Sequence, residues 1–358
     1  MASPRPRAQS APGVRASGAL FVGAFLSQSG GRRAVAEELE ARLSGLGWST
    51  RLTSRSRSRA ARVADMLWTA WRRADEYDVA HVDVFSGQAF RWAELVARAF
   101  RALGKPWIAT LRGGGLPEFA ARHPRRVRAL LEGAFAVTAP SAYLQRAMRP
   151  YRADIEVLPN AIEMERYPYR HRSSPAPRLV WMRAFHRVYR PEMGPAVVAR
   201  LARELPDARL QMIGPDKGDG SVERTRRAAS ELGVAERVEI VLGVPKSQVP
   251  DRLSGADVFV NTTSVDNVPV SLLEALACGL CVATTDAGGI ADLVRDGETA
   301  LMVPTDDADA MAAAVLRILR EPGLAARLSA NARREAEGFD WARVLPAWDA
   351  LLRSALEP

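Results

Sequence analysis

Residues 256–285 read ADVFVNTTSVDNVPVSLLEALACGLCVATT. The run ADVFVNT (256–262) is short, apolar and rich in β-branched residues, which predicts a buried strand. Pro269 suits the first turn of a helix, where its missing N–H would have no intrahelical partner. VSLLEALA (270–277) continues that helix and Gly279 stops it. LCVATT (280–285) is a second buried strand. Strand, helix and strand in one short span form a βαβ unit, so the sheet is parallel.

The alternation extends both ways from this unit. RLVWM (178–182), ARLQMIG (208–214) and RVEIVLG (237–243) precede it as strands, and ALMVP (300–304) follows. Further upstream, ALFVGAF (19–25), DVAHVDVF (78–85), PWIATL (106–111), AFAVTAP (134–140) and IEVLP (155–159) read as another set of strands, with helical stretches between most of them. YPYRHRSSPAP (167–177) separates the two sets and reads as a linker. FDWARVLPAWDALLRSAL (339–356) reads as an amphipathic helix, bent near Pro346. The expectation is an α/β chain with two Rossmann-like, doubly wound domains facing a central cleft. Their bounds are 18–170 and 178–338, after a disordered tail (1–17), with a terminal helix (339–358) packing back toward the N-terminal domain. Ligands of such sheets sit at the carboxyl ends of strands.

Bulk composition narrows the class. Two cysteines in 358 residues exclude a disulfide scaffold. No apolar run is long enough to span a bilayer. ALFVGAFLS (19–27) follows Arg5, Arg7 and Arg15 like the core of a signal peptide. It lacks a small-residue cleavage site and runs into Gly30-Gly31, so a buried first strand is the better reading. The cytoplasm is the expected location, with the inner membrane face as an extension. Net charge is +9, and the basic excess is dense in RLTSRSRSRAAR (51–62). Such a stretch suits an anionic partner. No zinc-finger spacing, RNP-type strand or helix-turn-helix supports nucleic acid. Trp68 and Trp71, beside Arg72 and Arg73, could make an interfacial helix; a place in the core is the preferred reading.

Three motifs compete for the chemistry. Cys278 and Cys281 form C-x-x-C, but at the carboxyl end of the helix, where no dipole stabilises a thiolate. The four histidines are not clustered to complete a zinc site. Asp307-Ala-Asp309 has D-x-D spacing yet opens a helix, where acidic residues favour the dipole. Asp266 and Glu274 flank the start of helix 270–277, where backbone N–H groups favour anions. Ser271-Leu-Leu-Glu274 is equally a capping-box pattern, so these residues alone leave ligand binding and helix capping open.

The longer run NTTSVDNVPVSLLEALACGLCVATTDAGGIADLVRDGETALMVP (261–304) resembles the carboxy-terminal region of family 4-like glycosyltransferases of the GT-B fold. Asp266, seven residues, Glu274, Ala275, Ala277, Gly279, Gly288-Gly289 and VRDG (294–297) carry the resemblance. It implies that Glu274 accepts hydrogen bonds from the ribose of a nucleotide-sugar and that Asp266 contacts the transferred sugar. It implies that Asn267, Val268, Pro269, Val270 and Ser271 lie against sugar and diphosphate. Arg183 falls where the family neutralises the departing diphosphate, and Arg190 or Arg187 stands in for the family's lysine. Gly30 and Gly31 correspond to a glycine loop beside the diphosphate. Arg112, with Gly113, stands where the family often has His-Gly, a departure that unsettles acceptor contacts. Asn160, in VLPNAIE (157–163), reads as a turn residue.

The resemblance implies a retaining, metal-independent transfer from a nucleotide-sugar to an acceptor hydroxyl, with no cofactor. The partners would be the donor and a saccharide or lipid-linked acceptor, with peripheral contact to an anionic membrane and none to nucleic acid. A sugar-nucleotide epimerase on the same fold and a non-catalytic sugar-nucleotide-binding protein are the alternatives.

Overall fold

The computed structural model describes residues 16–26 and 34–357. Gly30, Gly31 and most of the expected tail lie outside the described residues. Two parallel sheets, each of six strands among the described residues, form the framework. The first contains β1 (Gly18–Val22), β2 (Ser49–Thr53), β3 (Val79–Val84), β4 (Trp107–Leu111), β5 (Ala136–Ala139) and β6 (Ile155–Val157), in the order β2-β1-β3-β4-β5-β6. The second contains β7 (Arg178–Met182), β8 (Arg209–Ile213), β9 (Val238–Val241), β10 (Val258–Asn261), β11 (Cys281–Thr285) and β12 (Leu301–Val303), in the order β12-β11-β10-β7-β8-β9. The sequence reading passes over β2, because STRLT holds one large apolar residue and lies at an edge where little needs burying.

The order fixes where a ligand can enter. In the second sheet the chain winds outward one way from β7 and the other way from β10, and β7 and β10 are neighbours. The crevice beyond their carboxyl ends is the topological switch point, where open α/β sheets bind ligands. Residues 183–190 and 262–269 leave those two strands there. Helices cover both faces of the sheet. One core holds Trp181, Val197 and Val315, and the other holds Phe259, Leu272 and Leu276.

The terminal helix Trp341–Ser354 carries Pro346 inside its run. Its Trp341, Val344, Trp348 and Leu352 pack with Phe21, Leu39, Leu43 and Ile108 of the first sheet and its helices. Trp48 Nε1 donates to Asp349 Oδ1 at 2.6 Å.

One expectation fails. Trp68 and Trp71 are not core residues: they are 67% and 55% exposed. Their helix, Arg59–Arg72, turns Met66 and Ala70 inward, with Val63 and Leu67 packed beside them. At about 100° per residue, that choice leaves both tryptophans on the outer side.

The segment 167–177, read as a linker, joins the two sheets and is held closely against the second. Arg172 is only 1% exposed and donates to the carbonyls of Arg170, Ala256 and Cys278. Asp257, equally buried, accepts from Arg170 at 2.7 Å, from Arg178 at 2.8 Å and from the Ala176 amide at 3.1 Å. Burial, with the like charge of Arg170, pushes the Arg172 pKa down to about 10, against the opposing pull of Asp257. The connection is pinned to the second sheet by charge.

Both cysteines are buried as free thiols, and burial pushes each pKa up to about 12. The nucleophilic thiolate is therefore scarce at neutral pH.

Candidate functional site

Arg183 is placed by strand geometry. Its amide donates to the Ile213 carbonyl at 3.1 Å, extending the β7–β8 pairing by one residue. A side chain on Gly214 would put Cβ 1.7 Å from the Arg183 carbonyl oxygen, so only glycine allows this approach. The guanidinium lies 4.1 Å from the centre of the Tyr189 ring and donates through Nη2 to Asp266 Oδ2. Oδ1 of the same carboxylate accepts from the Asn267 amide at 2.8 Å, which fixes its plane.

Helix Val270–Ala277 starts at the same crevice. Its N-cap is Pro269, without a side-chain capping bond. Ser271 and Glu274 thus occupy the second and fifth helical positions, too far along to form a capping box. Glu274 Oε1 instead accepts from the Tyr167 hydroxyl at 2.7 Å. Burial and the adjacent carboxylate raise the Tyr167 pKa far above its ordinary value, so this hydroxyl stays a donor. Ser271 Oγ and Arg183 Nε are both buried without a hydrogen-bond partner among the described residues.

Gly288 and Gly289 form the floor under the loop. A Cβ at Gly288 would approach the Asp266 carbonyl oxygen to 2.1 Å, and one at Gly289 would approach that of Asn267 to 2.3 Å. Gly288 also has a positive φ of 63°. The Gly289 amide donates to the Asp266 carbonyl at 3.2 Å.

The first sheet closes over the other side of this loop. A Cβ on Gly114 would meet Val265 at 2.8 Å. Ser141 Oγ donates to Asn267 Oδ1. Arg112 donates to Asp83 Oδ1 at 2.9 Å and to Asn160 Oδ1 at 2.7 Å, and Asn160 Nδ2 donates to the Val268 carbonyl at 3.2 Å. Asn160 is thus more than a turn residue: it ties the first sheet to the loop carrying Asp266. The Arg112 guanidinium is engaged in that tether, and Gly113 stands beside it with a φ of 82°. Replacing Asn160 by alanine removes a buried bridge and leaves partners at both ends unsatisfied. Stability should fall by about 1–3 kcal/mol, read as an earlier midpoint in urea unfolding. An unchanged midpoint would contradict the tether.

Arg190 is not gathered into this cluster. It adopts a left-handed conformation, φ 46°, and pairs with Asp306 at 2.8 Å, both side chains about half exposed. With Arg187, Arg224, Glu192 and Asp219 it lines a neighbouring cleft of about 730 Å³. No histidine touches Asp266 or Glu274 through a hydrogen bond among the described residues. His81 is buried in β3 beside Thr110, and burial pushes its pKa down to about 4. Asp307 caps the helix Ala308–Arg320 by accepting from the Ala310 amide at 2.8 Å.

Residues 177–335 match the family described as Glycosyl transferases group 1, and residues 25–166 match Glycosyltransferase Family 4. The chain belongs to the group 1, family 4-like glycosyltransferases. Among curated relatives of this glycosyltransferase is a GDP-mannose-dependent alpha-(1-6)-phosphatidylinositol monomannoside mannosyltransferase of Mycolicibacterium smegmatis. It is 34% identical over 149 residues, which are 39% of this chain and 38% of the relative. A D-inositol 3-phosphate glycosyltransferase of Rhodococcus jostii is 29% identical over 285 residues, 74% of this chain and 61% of the relative. The matches thus span roughly two fifths to three fifths of those relatives' lengths. The fold is shared with sucrose-phosphate synthase from Thermosynechococcus elongatus, at a TM-score of 0.77 and 20% identity, covering 95% of this chain and 99% of that one. It is also shared with HepE of Anabaena in complex with UDP-glucose, at a TM-score of 0.75 and 17% identity, covering 94% and 99%.

The candidate site contains residues that the sequence reading missed. Tyr167 hides in the segment read as a linker. Tyr189 gives no signal of its own, and Ser141 reads as an ordinary N-cap, which it also is for Leu144 at 3.1 Å.

Proposed function

We propose that this glycosyltransferase moves a sugar from a nucleotide-sugar to an acceptor hydroxyl, with retention of configuration and without a metal ion. One observation carries the reading: Arg183, Asp266 and the Tyr167-bound Glu274 converge on a helix N-terminus at the switch point of the second sheet. Amides that begin a helix and a guanidinium together suit a diphosphate. A carboxylate held by a phenol suits paired ribose hydroxyls. The diphosphate competes with Asp266 for Arg183. Its arrival frees Asp266 to accept from hydroxyls of the transferred sugar, while Ser271 Oγ gains a partner. As the glycosidic bond breaks, negative charge grows on the diphosphate, where the guanidinium and helix amides already point. In a front-face transfer that diphosphate takes the proton of the acceptor hydroxyl, so no histidine base is required.

Arg190 supplies a second positive charge by leaving Asp306, an exposed pair that contributes only about 0–1 kcal/mol; Arg187 lines the same cleft and is the other source. The relatives direct the choice of substrates. A guanosine- or uridine-diphosphate sugar is the donor, and a polyol phosphate or lipid-linked saccharide is the acceptor, met in the cytoplasm or at its membrane face.

The test incubates the full chain with UDP-glucose or GDP-mannose, with and without D-inositol 3-phosphate, and separates the nucleotides by chromatography. Release of nucleoside diphosphate, accelerated by acceptor, supports transfer. An isomeric nucleotide-sugar without diphosphate release would identify an epimerase. Tight donor binding with no release, even by slow hydrolysis, would identify a binding protein.

A further inference from the structure

The helix Arg59–Arg72 has two apolar faces, and only one is used. Met66 and Ala70 are buried against the first sheet's core. Ala61, Ala64, Trp68 and Trp71 are all exposed. Their spacing of three, four and three residues places them along a single stripe. An isolated exposed tryptophan needs no explanation, but two on one stripe do.

Charge surrounds the stripe. Between Arg51 and Arg73 the chain carries seven arginines and one acidic residue, Asp65. Arg51 and Arg73 share Glu76. Arg59 donates to Gln88, and Arg62 donates to the Ser56 and Arg57 carbonyls. Arg55, Arg59, Arg62 and Arg72 have no carboxylate partner among the described residues. An apolar stripe rimmed by uncompensated arginines matches one surface chemistry: an apolar layer under a sheet of phosphates. Tryptophan suits that boundary because its ring is apolar and its N–H seeks a polar partner.

We propose that this face docks on an anionic phospholipid bilayer. The helix lies along the surface, Trp68 and Trp71 enter the head-group boundary, and the flanking arginines meet lipid phosphates. The arginine-rich loop before the helix leaves β2 at the carboxyl edge of the sheet. The 112–115 loop leaves the same edge and touches Val265. A docked bilayer would therefore lie beside the mouth of the crevice. The docking itself does not depend on the transfer reaction, and its test reads binding alone.

The test sediments the full chain with phosphatidylcholine vesicles, with and without phosphatidylglycerol, at low and high salt. Three proteins are compared: the unaltered chain, Trp68→Ser with Trp71→Ser, and Arg55→Ser with Arg59→Ser and Arg72→Ser. All five side chains point outward, and thermal melts confirm that each variant folds. The unaltered chain should bind anionic vesicles and lose that binding at high salt. The tryptophan variant should bind about tenfold more weakly. The arginine variant should bind about a hundredfold more weakly, from roughly fivefold per charge. Equal binding to neutral vesicles, no binding to either, or variants that bind like the unaltered chain would each overturn the proposal. So would a tryptophan variant that changes the oligomeric state, which would make the face a subunit interface. Oligonucleotide binding with the same dependence on both tryptophans, and none to vesicles, would assign the face to nucleic acid.

Discussion

Replacing Arg183 by alanine is expected to lower kcat by roughly two to three orders of magnitude, with a smaller change in KM. The reason lies in when its charge matters. Before reaction the guanidinium already has a carboxylate partner in Asp266 and an aromatic ring beneath it. Exchanging Asp266 for a bound diphosphate yields little net affinity. Charge grows on the diphosphate only as the glycosidic bond breaks, and a fixed cation at that point contributes about 3–4 kcal/mol. Arg183→Lys keeps the charge but loses the planar fork and its stacking on Tyr189, so it should recover only part of the rate. Steady-state kinetics with whichever of UDP-glucose and GDP-mannose supports transfer decides the matter. A kcat within a few-fold of the unaltered chain would leave Arg183 as a structural partner of Asp266.

The second large effect falls on stability. Asp257→Asn keeps the shape of a residue that is 1% exposed and removes its charge. Three arginines converge on that carboxylate, and one of them, Arg172, is itself buried, with Nε 3.8 Å away. Neutralising one member of a buried ionic cluster leaves the other charge without compensation, at about 3–5 kcal/mol. Tm should fall by about 10 °C for a domain of this size. Asp257 lies at the start of β10, at the opposite end of the strand from the 262–269 loop, so donor affinity below the new Tm should be retained. A Tm shift within a degree or two would show that the pinned connection contributes little.

Periodicity and punctuation made the framework legible. The run around β10 and β11 is apolar on both faces because helices cover both sides of a parallel sheet, and Pro269 and Gly279 bracket the helix between them. β2 escaped because an edge strand can remain polar. The tryptophans of helix Arg59–Arg72 misled because hydrophobicity reports a preference for leaving water, not which face of a helix is already filled. The candidate site was legible where it is contiguous. Asp266, Ser271, Glu274 and Gly288-Gly289 follow one another in sequence, and the close approach of Gly288 to the Asp266 carbonyl explains why the glycines belong with the acids. What was not legible depends on tertiary approach. Tyr167 reaches Glu274 across 107 residues, Ser141 reaches Asn267 across 126, and Arg112 spans Asp83 and Asn160. Arginine at 190 satisfied a spacing, but a left-handed backbone turned its side chain toward Asp306.

The central claim is that Arg183 and residues 266–274 bind a nucleoside diphosphate through guanidinium, carboxylate and helix amides. The most direct measurement is thermal stability of the full chain against UDP, GDP and ADP, with Glu274→Ala in parallel. At a hundred times its dissociation constant the correct nucleotide should stabilise the chain by about 2.7 kcal/mol, a rise of several degrees. That rise should appear with one base and vanish in the variant. If no nucleotide raises Tm, or if the rise survives loss of the Glu274 carboxylate, the donor does not bind as described.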